Sequence, residues 1–230
     1  MTADELAGYI DLSLLKPQAS KKEVEALIYD AQKYPFASVC IPPCYAGLAV
    51  NILKGYPVKV GTVVGFPFGY QTTSVKLYEA REAVEAGAKE IDMAMNISAF
   101  KSGKLKIVQD EISQIASSLP CVTIKVIIET CYLEDEEKRD ACKLVIDGGA
   151  NFVKTSTGFG SGGATVEDVR LLTNIAAGRI KIKASGGIRN LDETLKMIDA
   201  GANRIGTSAG VKIMEEFLSK FKQEYTRWTG

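Results

Sequence analysis

The chain has 230 residues, with 28 basic and 28 acidic side chains and no histidine. The balanced charge, without a basic block, excludes the footprint of a nucleic-acid or membrane-surface binder and points to a small-molecule partner. The absence of histidine excludes imidazole triads and His-based zinc sites.

Cys40, Cys44, Cys121, Cys131 and Cys142 are an odd number of thiols spread through apolar segments, which reads as free cysteine in a reducing compartment. Acids stand near the amino terminus where a signal peptide would carry its basic region, so a cytoplasmic location is expected. The uncharged run from 34 to 53 holds Pro42 and Pro43 and is not a membrane-spanning helix.

In chain order, strands are predicted near 9–13, 37–41, 58–64, 90–95, 122–129, 152–156, 180–184 and 204–208, with helices between them. Ser20 with Glu23, Thr165 with Asp168, and Asn190 with Glu193 are the cap pairs expected to open three of these helices. "GFPFG" at 65–69 reads as a rigid connection rather than a ligand loop. Three segments repeat one pattern: "VEAGAKEIDM" (84–93), "VIDGGANFVKT" (145–155) and "MIDAGANRIGT" (197–207). In each, a glycine (Gly87, Gly149 or Gly201) suits the left-handed position that stops a helix two or three residues before a strand.

Eight alternating βα units with no linker or composition shift, in a chain of this length, predict an α/β protein: a single (β/α)8 TIM barrel spanning 1–230. An open doubly wound sheet is the alternative. Strand parity then divides "VTIKVIIET" into Val122, Ile124, Val126 and Ile128 facing the helices, and Thr123, Lys125, Ile127 and Glu129 facing inward. In "RIKIKASGG" the inward set is Lys181, Lys183 and Ser185. Asp92, Lys154 and Gly206 each lie five residues after their joint glycine, so they occupy equivalent inward positions on three strands.

A carboxylate and several lysines inside a barrel suggest chemistry. A lysine with an ordinary pKa near 10.4 is only about one part in two or three thousand free amine at pH 7. Burial and a neighbouring cation, here Lys183 beside Lys154, would lower that value, with Asp92 moving protons. A neutral amine attacking a carbonyl gives a Schiff base that stabilises the carbanion left by carbon-carbon cleavage, so a metal-free aldolase is expected. The bland alternative for Lys154 is a structural ion pair with Asp92 or Glu129. The turns "SGGIRN" (185–190) and "GTSAG" (206–210) follow the last two strands, where (β/α)8 enzymes frequently bind phosphate. Asp11 and Cys40 end their strands near the same rim. Asp11 serves as a substrate contact or a cap, and Cys40 as a buried small hydrophobe.

"IDLSLLKP", "GFPFG", "EIDMAMN", "KVIIET", "VKTSTGFGSGGAT" and "KASGGIR" occur in this order over nearly the whole chain. Together they resemble the deoxyribose-phosphate aldolases, class I enzymes of the (β/α)8 fold. The resemblance implies reversible cleavage of 2-deoxy-D-ribose 5-phosphate to acetaldehyde and D-glyceraldehyde 3-phosphate, in deoxynucleoside breakdown. It implies that Lys154 forms the Schiff base, that Lys183 depresses its pKa, and that Asp92 works with Lys183 in proton transfer. Gly186, Gly187, Gly206 and Ser208 would hold the phosphate, and Asp11 and Gly158 join them as substrate contacts. No metal and no cofactor are implied, and the expected assembly is a homo-oligomer, dimer or tetramer.

Two departures stand out. Leu12 and Ser13 replace the His-Thr often found in the first motif, and "STGFG" lacks the lysine some members carry after the glycine, so phosphate binding would rest on backbone amides and Arg189. Rival readings are another phosphosugar barrel, such as an isomerase or a different Schiff-base aldolase, and a catalytically dead binding barrel.

Overall fold

In the computed structural model, which describes residues 1–229 with side chains as far as Lys220, helices and strands alternate except where two helices follow the fourth strand. The chain runs α1 (Ala3–Tyr9), β1 (Ile10–Ser13), α2 (Lys21–Asp30), β2 (Ser38–Ile41), α3 (Ala46–Ile52), β3 (Lys59–Val64), α4 (Thr73–Glu85), β4 (Glu90–Ala94), α5 (Ile97–Lys101), α6 (Leu105–Ser118) and β5 (Thr123–Ile127). It continues with α7 (Asp135–Asp147), β6 (Phe152–Lys154), α8 (Val166–Ala176), β7 (Lys181–Ser185), α9 (Leu191–Asp199), β8 (Arg204–Thr207) and α10 (Gly210–Thr229). The strands pair in parallel in sequence order, and β8 closes on β1, giving a closed (β/α)8 barrel rather than an open sheet.

Local chemistry explains the boundaries. Ser20 and Glu23 form a reciprocal capping box at α2, while Thr165 and Asn190 accept the Asp168 and Glu193 amides at the starts of α8 and α9. The joint glycines Gly87, Gly149 and Gly201 have φ of 99°, 79° and 108°, a left-handed turn that side-chain-bearing residues rarely adopt. "GFPFG" is a rigid turn: the Gly69 amide donates to the Gly65 carbonyl at 2.7 Å, and a Cβ on Gly69 would sit 2.0 Å from the Met95 carbonyl oxygen.

Parity sorts the core. Ile124, Val126 and Ile128 pack outward with Val108, Ile112 and Ile115 of the helix layer. The interior of a (β/α)8 barrel is ordinarily filled by layers of branched apolar side chains. Here Asp11, Glu90, Asp92, Lys125, Lys154 and Lys183 are all buried within it.

Two expectations need correcting. β5 ends at Ile127, and Glu129 leaves the strand in a left-handed conformation (φ 52°, ψ 71°). Lys181 does not join Lys183 inside the barrel. It starts β7, where the first residue reaches solvent, and its ammonium lies 5.7 Å from the Phe152 ring centroid. Among the described residues no helix is long and apolar enough to cross a membrane.

Candidate active site

Strand register places the charges. In β4–β5 pairing Asp92 stands beside Lys125, and in β6–β7 pairing Lys154 stands beside Lys183. One carboxylate oxygen, Asp92 Oδ2, accepts from Lys154 Nζ at 2.8 Å and from Lys183 Nζ at 2.7 Å. The other, Oδ1, accepts from Lys125 Nζ at 3.0 Å. The ion pair between Lys154 and Asp92 therefore exists, but as one member of a larger network.

Lys183 also meets Asp11 Oδ2 at 2.5 Å, and Lys125 meets Glu90 at 2.6 Å and Asp11 at 3.4 Å. Arg204, entering from the opposite mouth, joins Asp11 and Glu90. Buried ions of this kind persist only when each is compensated, because stripping water from an isolated charge costs several kcal/mol or more. Burial alone would raise both Asp carboxyls. Lys125, Lys154 and Lys183 overcome it at Asp92, and Lys125, Lys183 and Arg204 at Asp11, so both lie well below the usual carboxylate range. Conversely, burial opposes the Lys183 ammonium, yet Asp11 and Asp92 raise its pKa and keep it cationic. Cys40 is buried with its sulfur 3.9 Å from Asp92; burial, then that carboxylate, pushes the thiol up to about 11 against the opposing pull of Lys183, Lys154 and Lys125.

Above the network lies a cavity of about 300 Å³ with Lys154 in its lining. Gly158, Gly186, Gly187, Gly206 and Ser208 all line the same cavity, so the structure brings together the glycine turns after β6, β7 and β8. α10 begins two residues after Ser208, which sets a helix N-terminus, with its unpaired amides, beside the cavity. The "TST" run is tied to β7 in both directions: the Ser185 hydroxyl donates to the Ser156 carbonyl at 2.6 Å, and the Thr155 hydroxyl donates to the Ser185 carbonyl at 3.1 Å.

Asp11, expected at the rim, is instead wholly buried against Lys183 and does not line the cavity; Asp92 and Lys183 are likewise fully buried and absent from its lining, which Lys154 joins. Among the described residues, the charged side chains that do line it are Lys16, Lys154 and Arg189, all cationic. Lys16 was missed in the sequence. Its only signal is its place in "LLKP", just after β1, where loops of a barrel carry function. Lys125 was legible as an inward lysine but not as the hub that joins Asp11, Glu90 and Asp92. Among the described residues no group of three His, Cys, Asp or Glu side chains is placed to hold a metal ion.

The model of the DeoC/LacD family of aldolases matches residues 7–216. The chain belongs to that family. This aldolase is 53% identical, over 92% of its length and 93% of the relative's, to the deoxyribose-phosphate aldolase of Caldanaerobacter subterraneus subsp. tengcongensis. It is 49% identical to that of Carboxydothermus hydrogenoformans, over 95% of this chain and 98% of the relative. Among solved structures, the aldolase QR15 superposes with a TM-score of 0.91 at 48% identity, covering 94% of this aldolase and 97% of QR15. The tetrameric deoxyribose phosphate aldolase of Aeropyrum pernix superposes with a TM-score of 0.89 at 33% identity, covering 95% and 93%. The fold, the enzyme class and the aldolase family expected from the motifs are thus shown.

Proposed function

We propose that this aldolase reversibly cleaves 2-deoxy-D-ribose 5-phosphate to acetaldehyde and D-glyceraldehyde 3-phosphate through a Schiff base on Lys154. The observation that carries this is the position of Lys154 Nζ, 2.8 Å from Asp92 and lining a cavity whose other charged groups are Lys16 and Arg189. An all-cationic lining with glycine turns and a helix N-terminus fits a phosphorylated substrate.

Inside the barrel four cations, Lys125, Lys154, Lys183 and Arg204, face three carboxylates, Asp11, Glu90 and Asp92. Of the three lysines, Lys154 is the amine with the fewest carboxylate partners, since it shares Asp92 with Lys183 whereas Lys125 touches three carboxylates. In its neutral form the Lys154 amine adds to the substrate C1 carbonyl, and loss of water with uptake of one proton gives the protonated imine. The C3 hydroxyl loses its proton as the C2–C3 bond breaks, C3 becomes the aldehyde of glyceraldehyde 3-phosphate, and the bonding pair moves to C2 as an enamine. Protonation at C2 and hydrolysis release acetaldehyde and restore Lys154. Asp92, held ionised by its lysines, exchanges a proton with Lys154 nitrogen, and Lys183 serves as the lasting cation beside it.

The same reading makes residues 1–230 one barrel domain, places the enzyme in the cytoplasm in deoxynucleoside catabolism, and expects a homo-oligomer, dimer or tetramer. The relatives named as deoxyribose-phosphate aldolases support the substrate, and the tetramer of the Aeropyrum pernix protein supports the assembly. The test is borohydride reduction in the presence of acetaldehyde followed by peptide mass spectrometry. An ethyl adduct on Lys154 is expected, and an adduct on another lysine, or none, rejects the assignment.

A further inference from the structure

Glu129 is a buried carboxylate that the chemistry above leaves unused. It sits at a break in the β5–β6 ladder. The Ile128 amide donates to the Lys154 carbonyl and the Thr130 amide to that of Thr155, so two steps along one strand match one step along the other. The extra residue is Glu129, with φ of 52°, a conformation that costs a residue bearing a Cβ. Bulges of this kind re-aim a side chain at barrel rims. Held strain of this kind calls for a reason.

The re-aimed carboxylate lies against the turn that follows Lys154. It accepts the Thr157 amide, at 3.1 Å and 3.2 Å to its two oxygens, and the Thr157 hydroxyl. The turn closes tightly over it, since a Cβ on Gly160 would come within 3.2 Å of Glu129 Cδ. Thr157 lines the cavity with Lys154.

An ionised carboxylate can only accept, so the Thr157 hydroxyl must give its single proton to Glu129. Of the two lone pairs left on that oxygen, one accepts the Phe159 amide at 3.0 Å. One acceptor site remains. Burial pushes the Glu129 carboxyl upward, and the Thr157 hydroxyl, its amide and, more weakly, the Lys154 charge offset that push only in part.

We propose that Glu129 is a positioning residue that fixes the polarity of the Thr157 hydroxyl, so that the cavity meets a hydrogen-bond acceptor there and selects a substrate carrying a hydroxyl donor at that point. This rests on the substrate reading above. The acetaldehyde half of the substrate has no hydroxyl after cleavage, whereas the glyceraldehyde phosphate half has. Glu129 therefore acts on the polyhydroxylated half alone.

The test is a double-mutant cycle in the full-length enzyme with Glu129→Gln, Thr157→Val and the pair. Two readouts are taken, kcat/KM for 2-deoxyribose 5-phosphate and borohydride trapping of acetaldehyde at Lys154. In Glu129→Gln the carboxamide NH2 is a donor, so the Thr157 hydroxyl is free to turn its proton into the cavity. Each single variant is expected to lose about tenfold in kcat/KM, the worth of one hydrogen bond, and the double variant to lose no more than the worse single. Acetaldehyde trapping should stay within twofold. Additive losses, or equal losses of trapping and cleavage, overturn the proposal. Should Glu129→Gln fail to fold, Glu129→Asp, whose shorter stem draws the carboxylate away from Thr157, replaces it with the same expected non-additivity. The substrate reading is tested by the wild type alone. The cycle can equally be run on the addition of acetaldehyde to glyceraldehyde, so failure of one does not decide the other.

Discussion

Gly206 on β8 provides the space that the Lys183 side chain occupies: a Cβ at 206 would lie 3.0 Å from Lys183 Cε and 2.9 Å from Ser185 Cβ. The missing side chain at this position is thus part of how Lys183 reaches both Asp11 and Asp92. Gly206→Ala should displace the ammonium by a few tenths of an ångström or more, at about 1–3 kcal/mol of overpacking. We expect at least a tenfold loss in kcat with the barrel retained, read from kinetics beside a thermal melt. Unchanged kcat would show that the ammonium has room to move without consequence.

Lys183→Leu should cost stability as well as catalysis, although one largely apolar stem replaces another. Removing one partner of a buried pair typically costs about 3–5 kcal/mol, and here Asp11 and Asp92 both lose a cation within 2.7 Å. The pH dependence has a definite sign. Both carboxyls are held below their ordinary values, so their contribution is present above the unfolded carboxylate pKa and is lost as pH falls toward the folded one. With Lys183 gone, that loss begins at higher pH, and the acid-unfolding midpoint should move upward in a fluorescence titration. A midpoint that stays in place would mean that Lys125 and Arg204 suffice.

The phosphate end can be separated from the imine end. Ser208→Asp sets a carboxylate beside the start of α10, and Lys16→Met removes a cation from the lining without touching the floor. Each should raise KM for 2-deoxyribose 5-phosphate, Lys16→Met by about tenfold for one lost charge-assisted contact, and Ser208→Asp by more. Borohydride trapping of acetaldehyde should be nearly unaffected in both. A KM that does not move in either variant would shift the phosphate to the Gly158 turn alone.

Thiol reactivity offers a check on the electrostatics. Cys40 is buried beside Asp92 with its thiol pushed up to about 11, while Cys44 and Cys121 are exposed. In the native enzyme at pH 8, iodoacetamide should label Cys44 and Cys121 and leave Cys40 intact, because the thiolate is the reacting species. Rapid labelling of Cys40 with the fold preserved would contradict the buried, acid-flanked environment.

The sequence by itself determined the architecture and the principal chemical groups. Gly87, Gly149 and Gly201 mark α-to-β joints because a left-handed stop is a local requirement, and strand parity follows from the alternation of a single chain. Counting from those glycines was enough to place Asp92 and Lys154 on equivalent inward positions, and the parity of β7 did the same for Lys183. What lay beyond such counting needed the closed barrel. Arg204 meets Asp11 across 193 residues of sequence only because β8 pairs with β1. That same closure sets Asp11 against Lys183 instead of at the rim, and brings Lys16 from the β1 loop to the glycine turns of β7 and β8. Glu129 escaped its predicted strand because its backbone is decided by the neighbouring β6 ladder and by Thr157, not by its own propensity. Periodicity reads each strand's faces, but which charges share one floor depends on the register and closure of all eight strands together.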